Sequence, residues 1–264
     1  MKHRIKSLAI LSGAVLAATG VQAAPSYGTL NTAAFATSSV VNYQDGVYMG
    51  TGGAIDNNNW TIATVGNVEI GLRAKNRGTF IPVNGSSGTY TFDTGLCNPT
   101  CGGGPKAWWN YEFSVNLRAD GTGSNDLTAY AVQIRVDTDS TAANAFTMWT
   151  DVTSNWGDNA YWDGVTGLGD DGRRVGTGPA QAGEFGLQQS ANPLFANSLF
   201  QPGFDPFAAG ASYRIELRVL QGGSTAQNVV AGTGINVNTV PEPTSLALVG
   251  LAIAGLGFAS RRKV

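Results

Sequence analysis

The chain has 264 residues, of which 42% are hydrophobic and 13% are charged, and its formal net charge is −2. Its only histidine is His3. The rest of the chain therefore cannot hold Ser-His or Cys-His nucleophiles, or zinc and copper sites built on imidazole. Carboxylate chemistry and oxygen-ligand calcium binding remain open.

The N-terminal 23 residues have the three parts of a secretory signal peptide. Three lysine and arginine residues lie within the first six positions, an apolar run follows from Leu8 to Ala18, and small residues precede the bond after Ala23. We therefore predict a signal peptide over residues 1–23, cleavage after Ala23 and export through the Sec translocon.

The C-terminal segment combines a proline-rich triplet, an apolar run and a basic end. Two prolines around one residue keep the backbone extended and exposed. The run from Leu246 to Ala259 is uncharged and can enter a bilayer, while the basic end stays on the cytoplasmic side. The residues that define these features are Val240, Pro241, Glu242, Pro243, Arg261, Arg262 and Lys263.

This order of features resembles the PEP-CTERM sorting signal of Gram-negative bacteria. The resemblance implies that a membrane-embedded exosortase recognises the triplet and removes the tail, so that the inner membrane holds the protein only transiently. A plain membrane anchor is the alternative. A helix over residues 246–260 would reach roughly 22 Å, whereas a bilayer core is about 30 Å thick, and this short span favours the processed tail.

These signals predict three parts: a signal peptide at 1–23, a folded domain at 24–239 and a sorting signal with a short transmembrane helix at 240–264. Six of the 16 basic residues lie in the segments that processing would remove, so residues 24–242 keep 10 basic against 18 acidic residues and a net charge near −8. This balance argues against nucleic acid as a partner. The predicted destination is the cell surface or the extracellular space.

Strict alternation of apolar and polar residues predicts strands in the folded domain. The clearest are at 68–75, 89–93, 109–117, 130–136 and 213–219, with weaker ones at 39–43, 46–49, 145–150 and 226–237. We predict an all-β fold: an antiparallel two-sheet sandwich, jelly-roll-like, in one domain. Residues 120–126 are predicted to join two strands as a hairpin. Residues 151–211 lack alternation and contain one helical candidate, Glu184–Phe200, which Pro193 would interrupt.

Cys97 and Cys101 are the only cysteines. In an exported protein they most simply form a disulfide that closes a tight turn. A metal site on these thiols would need further histidine or cysteine ligands, and the chain offers none outside the predicted signal peptide, which contains His3.

One enzymatic mechanism fits the composition: glycoside hydrolysis by two carboxylates about 5–10 Å apart. Glu112 and Glu216 lie on the polar faces of predicted strands and could share one concave sheet. Cross-strand ion pairs with arginines such as Arg135 and Arg214 explain the same residues on a solvated face. We therefore predict no catalytic residues and a non-enzymatic protein, with a carbohydrate-active enzyme as the alternative.

Two other kinds of ligand are open. The loops Asp137–Ser140 and Gly169–Gly172 are rich in oxygen ligands and could bind calcium, but aspartates in turns more often bond to the backbone, and we predict no metal or cofactor. Tryptophans beside polar residues could stack on sugars, although large aromatics also fill β cores. The tryptophan candidates are Trp108, Trp149, Trp156 and Trp162, the last two being favoured. The hypothesis is a surface or matrix protein associated with extracellular polysaccharide.

Overall fold

A computed structural model describes residues 25–30, 58–77, 88–97, 101, 104–139, 145–153, 159–163, 173–176, 178–225, 228–241, 248 and 250–253. These residues contain strands and one 3-10 turn, Leu127–Ala129, but almost no helix. The strands are β1 (Ser26–Gly28), β2 (Trp60–Val65), β3 (Val68–Asn76), β4 (Thr89–Asp93), β5 (Trp109–Asn116), β6 (Tyr130–Val136), β7 (Thr150–Asp151), β8 (Asn159–Trp162), β9 (Arg173–Gly176), β10 (Gly186–Ala191), β11 (Ser212–Gln221) and β12 (Val229–Val240).

The strands form two sheets. The large sheet has the order β1-β2-β3-β5-β10-β8-β9, and the small sheet has the order β4-β12-β11-β6-β7. Strands β4 and β12 are parallel, whereas their neighbours pair antiparallel. The prediction of a wholly antiparallel fold is therefore wrong at this pair. No short turn joins β4 to β12, so nothing local forces them to run in opposite directions.

The apolar faces of both sheets bury their side chains in one hydrophobic cluster. An aromatic group lies within it, where the Trp109 ring packs edge-on against Phe200 and Phe204 at centroid distances of 5.6 and 5.7 Å. Such pairs add to the free energy gained from the buried apolar area itself. Members from both sheets include Leu72, Phe113, Val115, Ile134, Ile215, Leu217 and Val237.

Several strands fall where alternation predicts them. Strands β4 and β6 have the predicted bounds, and β3, β5 and β11 differ from the predicted bounds by one or two residues. The weak segment at 226–237 becomes one strand, β12. The weak strands at 39–43 and 46–49 and the predicted signal peptide lie outside the described residues.

The predicted hairpin at residues 120–126 is wrong. It would pair β5 with β6, but these strands belong to different sheets. The segment instead crosses between the sheets and ends at Asp126, whose carboxylate accepts a hydrogen bond from the backbone N–H of Thr128 at the start of the 3-10 turn. The turn-forming residues were recognised correctly, but alternation does not specify the sheet that a strand joins.

The helical candidate Glu184–Phe200 is also wrong. Its first part is strand β10, which pairs with β5 on one side and β8 on the other. Two buried glutamines belong to this strand, and they donate hydrogen bonds to Ser114 Oγ and Asn159 Oδ1. The predicted strand at 145–150 reduces to a single bridge between Asp137 and Phe146, followed by β7.

Candidate functional site

Glu112, the first acidic candidate, lies in the interior of the molecule. Its side chain is 0% exposed, and its Oε2 atom accepts a 2.7 Å hydrogen bond from Nε of Arg73, which is also 0% exposed. Lys75 pairs with the other carboxylate oxygen. Arg73 lies directly opposite Glu112 on β3, so the register of β3 and β5 builds this cluster. The prediction of a solvated face at Glu112 is therefore wrong.

The N-terminal part of the domain helps to cover this face of the large sheet. Leu30, Trp60 and Ile62 form a second, smaller hydrophobic cluster, and the Arg73 guanidinium lies 4.2 Å from the centroid of the Trp60 ring. A Cβ atom at Gly71 would lie 2.6 Å from Leu30 Cδ2. Glycine at this position thus allows Leu30 to pack directly on the sheet.

The charge of Glu112 follows from its surroundings. Burial alone would raise the pKa of its carboxyl, but attraction by Lys75 and Arg73 outweighs burial and lowers the pKa below its ordinary value. A general acid at neutral pH needs the opposite shift and access to a substrate. The arrangement at Glu112 thus matches a buried ion cluster rather than an acid catalyst.

Glu216, the second acidic candidate, lies on a different sheet from Glu112. It belongs to β11 of the small sheet, whereas Glu112 belongs to β5 of the large sheet. Both residues alternate with core residues of their own strands, so they point to opposite outer faces of the molecule. The expectation that they share one concave sheet is wrong.

The outer face of the small sheet is polar and open to solvent. Arg135 lies opposite Glu216, and its Nε and Nη2 atoms donate to Glu216 Oε2 at 2.8 and 2.6 Å. Arg214 donates from Nε to the other carboxylate oxygen at 2.7 Å. The pKa of Glu216 is raised by partial burial but lowered more strongly by Arg214 and Arg135, so the net shift is downward.

Aromatic side chains from residues 145–149 pack on the arginines of this face. The guanidinium carbons of Arg218 and Arg135 lie 4.0 and 4.5 Å from the centroid of the Trp149 ring. Arg135 also lies 4.2 Å from the centroid of the Phe146 ring, and Arg218 donates to Gln133 Oε1 at 2.9 and 2.7 Å. We name the set Gln133, Arg135, Phe146, Trp149, Arg214, Glu216 and Arg218 the arginine–tryptophan face.

The sugar-stacking candidates have different environments. Trp162 is 2% exposed and belongs to the main hydrophobic cluster, so its prediction as a surface ligand is wrong. Trp108 and Trp149 are partly exposed, and Trp156 lies outside the described residues. Among the described tryptophans of this set, only Trp149 belongs to the arginine–tryptophan face. The sequence alone does not predict this face, because its residues come from separate strands and a loop.

The first of the two calcium candidates is organised by backbone hydrogen bonds. Asp137 is 3% exposed, and its Oδ1 atom accepts from the backbone N–H groups of Asp139 and Ala145. The second candidate, 169–172, lies outside the described residues. Within the part of the chain that the structure describes, no three His, Cys, Asp or Glu side chains are placed to share a metal ion.

Cys97 and Cys101 form a disulfide, with their Cα atoms 5.6 Å apart. The bridge follows β4, and the Cys97 backbone N–H donates to the carbonyl oxygen of Lys106 at 2.9 Å. Both half-cystines are buried, so the bridge fastens the connection between β4 and β5 to the body.

The folded body ends abruptly at the C-terminus of β12. This strand lies between β4 and β11, and Val240 pairs with Asp93 in its last register position. The preceding residue, Thr239, is 4% exposed, and its hydroxyl donates to the carbonyl oxygen of Ala208 at 2.6 Å. Pro241 is exposed. The chain thus passes from an internal strand to a surface proline within two residues.

The described part of the apolar tail does not pack into the body. Residues 248 and 250–253 are helical, and the side chains of Leu248, Leu251 and Ile253 are 68%, 69% and 66% exposed. Within the described residues, no helix has both the length and the apolar character that a membrane crossing requires. A short apolar segment that the body leaves uncovered needs another apolar environment.

A family model described as the PEP-CTERM protein-sorting motif matches residues 239–263. This chain carries a PEP-CTERM sorting motif. The resemblance predicted from the sequence is confirmed, and the match begins one residue before the predicted start at Val240. The PEP-CTERM motif supports an exported protein that is an exosortase substrate and is sorted at the membrane toward the cell surface.

The PEP-CTERM motif overlaps the end of the folded body. Its first two residues, Thr239 and Val240, are the last two residues of β12. Comparisons with curated protein sequences and with solved structures found no significant match. The family match therefore concerns the tail, and the activity of the body has to be argued from its own residues.

Proposed function

We propose that this PEP-CTERM protein is a non-enzymatic component of the cell surface or extracellular matrix that associates with exopolysaccharide. The Sec translocon exports it, the inner membrane holds its tail transiently, and exosortase then processes the tail. The observation that carries this proposal is the position of the sorting motif. The motif begins in the last two residues of an internal strand and continues into an exposed proline.

The junction separates the body from the tail sharply. A protease can cut beyond Pro241 without removing any residue of β12, so the body keeps the core contacts of Ile235 and Val237. The exposed side chains of Leu248 and Leu251 are available to lipid. This division supports a tail that acts as an address and a body that functions after the tail is lost.

The body is proposed to serve as a binding scaffold with a jelly-roll-like sandwich form. The acidic pair that the enzyme alternative needs is not assembled, because Glu112 is sealed by Arg73 and Lys75 while Glu216 lies on the opposite outer face. These positions favour the non-enzymatic proposal over a glycosidase that uses these two carboxylates.

Replacing the acidic residue of the triplet tests the proposal. Glu242→Ala in the producing bacterium is expected to leave an unprocessed protein in the membrane fraction, while the unaltered protein reaches the surface or the medium. A matched control is Glu216→Gln, which changes an acidic residue of the body and should be sorted normally. Normal processing and release of the Glu242→Ala protein would contradict the proposed route.

Exopolysaccharide association has its own test. The protein recovered from outside the cell should co-sediment with the polysaccharide of its own culture, and it should release no reducing sugar from that material on prolonged incubation. Steady release of reducing ends would favour the carbohydrate-active enzyme. Absence of co-sedimentation would remove the association and leave the sorting route intact.

A further inference from the structure

We propose that the arginine–tryptophan face binds an acidic polysaccharide, with the arginines holding the carboxylates of uronate residues. This inference rests on the proposed association with exopolysaccharide and specifies its site and the chemistry of its ligand. It depends on three properties of the face: its openness, its local charge and the packing of its aromatic side chains.

The outer faces of the two sheets differ in the access that they give to solvent. On the large sheet, the outward residues Arg73, Lys75 and Glu112 are at most 2% exposed. On the small sheet, the side chains of Arg135 and Arg214 are 30% and 42% exposed. Only the second of these two residue groups can meet a large extended polymer without unfolding the domain.

The centre of the open face carries an excess of positive charge. Arg135 and Arg214 both bind the carboxylate of Glu216, and Arg218 lies two residues farther along β11 on the same face. Among the described residues of this sheet, the other acidic groups lie at its edges: Asp93 on β4, Asp151 on β7, and Asp137, which is 3% exposed and bonded to backbone N–H groups. A local cationic centre in a chain with an acidic balance attracts anions at one place rather than over the whole surface.

In the part of the chain that the structure describes, the hydrogen bonds of Arg135 and Arg218 use only some of their N–H donors. A guanidinium carries five N–H donors, and Arg135 uses its Nε and Nη2 atoms on Glu216 while Arg218 uses the corresponding atoms on Gln133. The remaining donors suit a planar carboxylate, which arginine binds with two parallel hydrogen bonds. A compact ammonium group would lack this geometry.

The aromatic side chains fix the arginines and supply a stacking surface. Trp149 contacts both Arg135 and Arg218, so the ring limits the rotamers of two cationic side chains before a ligand arrives. Trp149 is itself partly exposed. An aromatic face beside charged donors can contact the apolar side of a sugar ring while the donors hold its carboxylate.

A glycine on β12, Gly234, leaves room for the ion pair between Arg214 and Glu216. Gly234 lies opposite Glu216, and a Cβ at this position would lie 3.2 Å from Arg214 Nη2 and 3.3 Å from Glu216 Cγ. Farther along the same strand, Asn236 accepts a 3.4 Å hydrogen bond from Arg214 Nη1. The polar face therefore continues from β6 across β11 to β12.

The test measures retention of the full-length protein, kept in mild detergent, in gels that contain a polymer. Polygalacturonate is the uronate probe, dextran is the neutral control and polyphosphate is a non-saccharide polyanion. We expect Arg135→Gln with Arg218→Gln to weaken binding to polygalacturonate at least tenfold. The matched control removes two cations elsewhere, Lys106→Gln with Arg118→Gln, and should change binding less than twofold.

A second variant, Trp149→Ala, removes the stacking surface without changing the charge and should also weaken binding. Unchanged retention of the double arginine variant, or an equal loss in the control variant, would overturn the assignment. Tighter binding of polyphosphate than of polygalacturonate would overturn the saccharide part. Retention by dextran but not by polygalacturonate would overturn the acidic ligand and leave the association with polysaccharide standing, whereas binding to neither saccharide would count against both.

Discussion

Arg73 and Glu112 face each other across β3 and β5 and form a 2.7 Å ion pair in which neither side chain is exposed. Lys75 completes the cluster from the same face of β3. Two cations and the carboxylate that pairs with both are thus held in the interior, where removing one partner of a buried ion pair is costly. Glu112, a catalytic candidate in the sequence, therefore has a structural role.

Glu112→Gln is expected to destabilise the protein by about 3–5 kcal/mol, because it removes the buried carboxylate that pairs with both Arg73 and Lys75. Glu216→Gln is the matched control, since Glu216 is 20% exposed and solvent compensates its partners, so its cost is about 1 kcal/mol or less. Urea denaturation of the two variants measures the difference. Equal destabilisation of both variants would show that Glu112 contributes no more to the free energy of unfolding than Glu216 does.

Acid should weaken the folded state through the same cluster. The pKa of Glu112 is below its ordinary value of 4.5, so the native carboxyl binds protons less readily than the unfolded one. The stabilisation is therefore fully present above pH 4.5 and is lost as the pH falls through the lowered native pKa. The difference in unfolding free energy between the unaltered protein and Glu112→Gln should shrink below pH 4.5. Parallel pH profiles of the two proteins would contradict this assignment.

Strand β12 sets how much of the C-terminus the fold needs. A chain that ends after Pro241 should keep its cooperative unfolding, because every residue of β12 remains. A chain that ends after Gly234 loses Ile235 and Val237, both 0% exposed, and should lose its fixed tertiary structure. Near-ultraviolet circular dichroism distinguishes the two. A folded chain ending at Gly234 would refute the role given to β12.

The disulfide should make a modest contribution to stability. It closes a loop with a sequence separation of 4, so in the chain-entropy model its removal costs about 2 kcal/mol. Cys97→Ser with Cys101→Ser should lower the urea midpoint without changing the slope of the transition. Complete unfolding of this variant, or no change in the midpoint, would show that the bridge acts differently.

The sequence predicts strands better than it predicts their partners. Alternation located β4 and β6 because each strand has one apolar face in the core. It missed β10, where Gln188 and Gln189 are buried and donate hydrogen bonds to groups distant in the sequence. Such polar residues in a strand interior look like surface residues until their partners are known.

The sequence likewise did not predict which candidate site residues are buried and which are exposed. A residue such as Glu112 alternates with core residues whether its own face is solvated or covered, and only the packing of Leu30 and Trp60 reveals the cover. Trp162 and Trp149 likewise cannot be separated by their neighbours in the sequence, yet one is in the core and the other contacts surface arginines. The sorting tail was predictable because its three features are contiguous in the chain.

The most direct test is the intact mass of the protein isolated from outside the producing cell. Processing of the PEP-CTERM tail predicts a mature chain that keeps all of β12 to Val240 and lacks the apolar run and the basic end formed by Arg261, Arg262 and Lys263. A surface-exposed protein whose mass still includes Val264 would contradict the account.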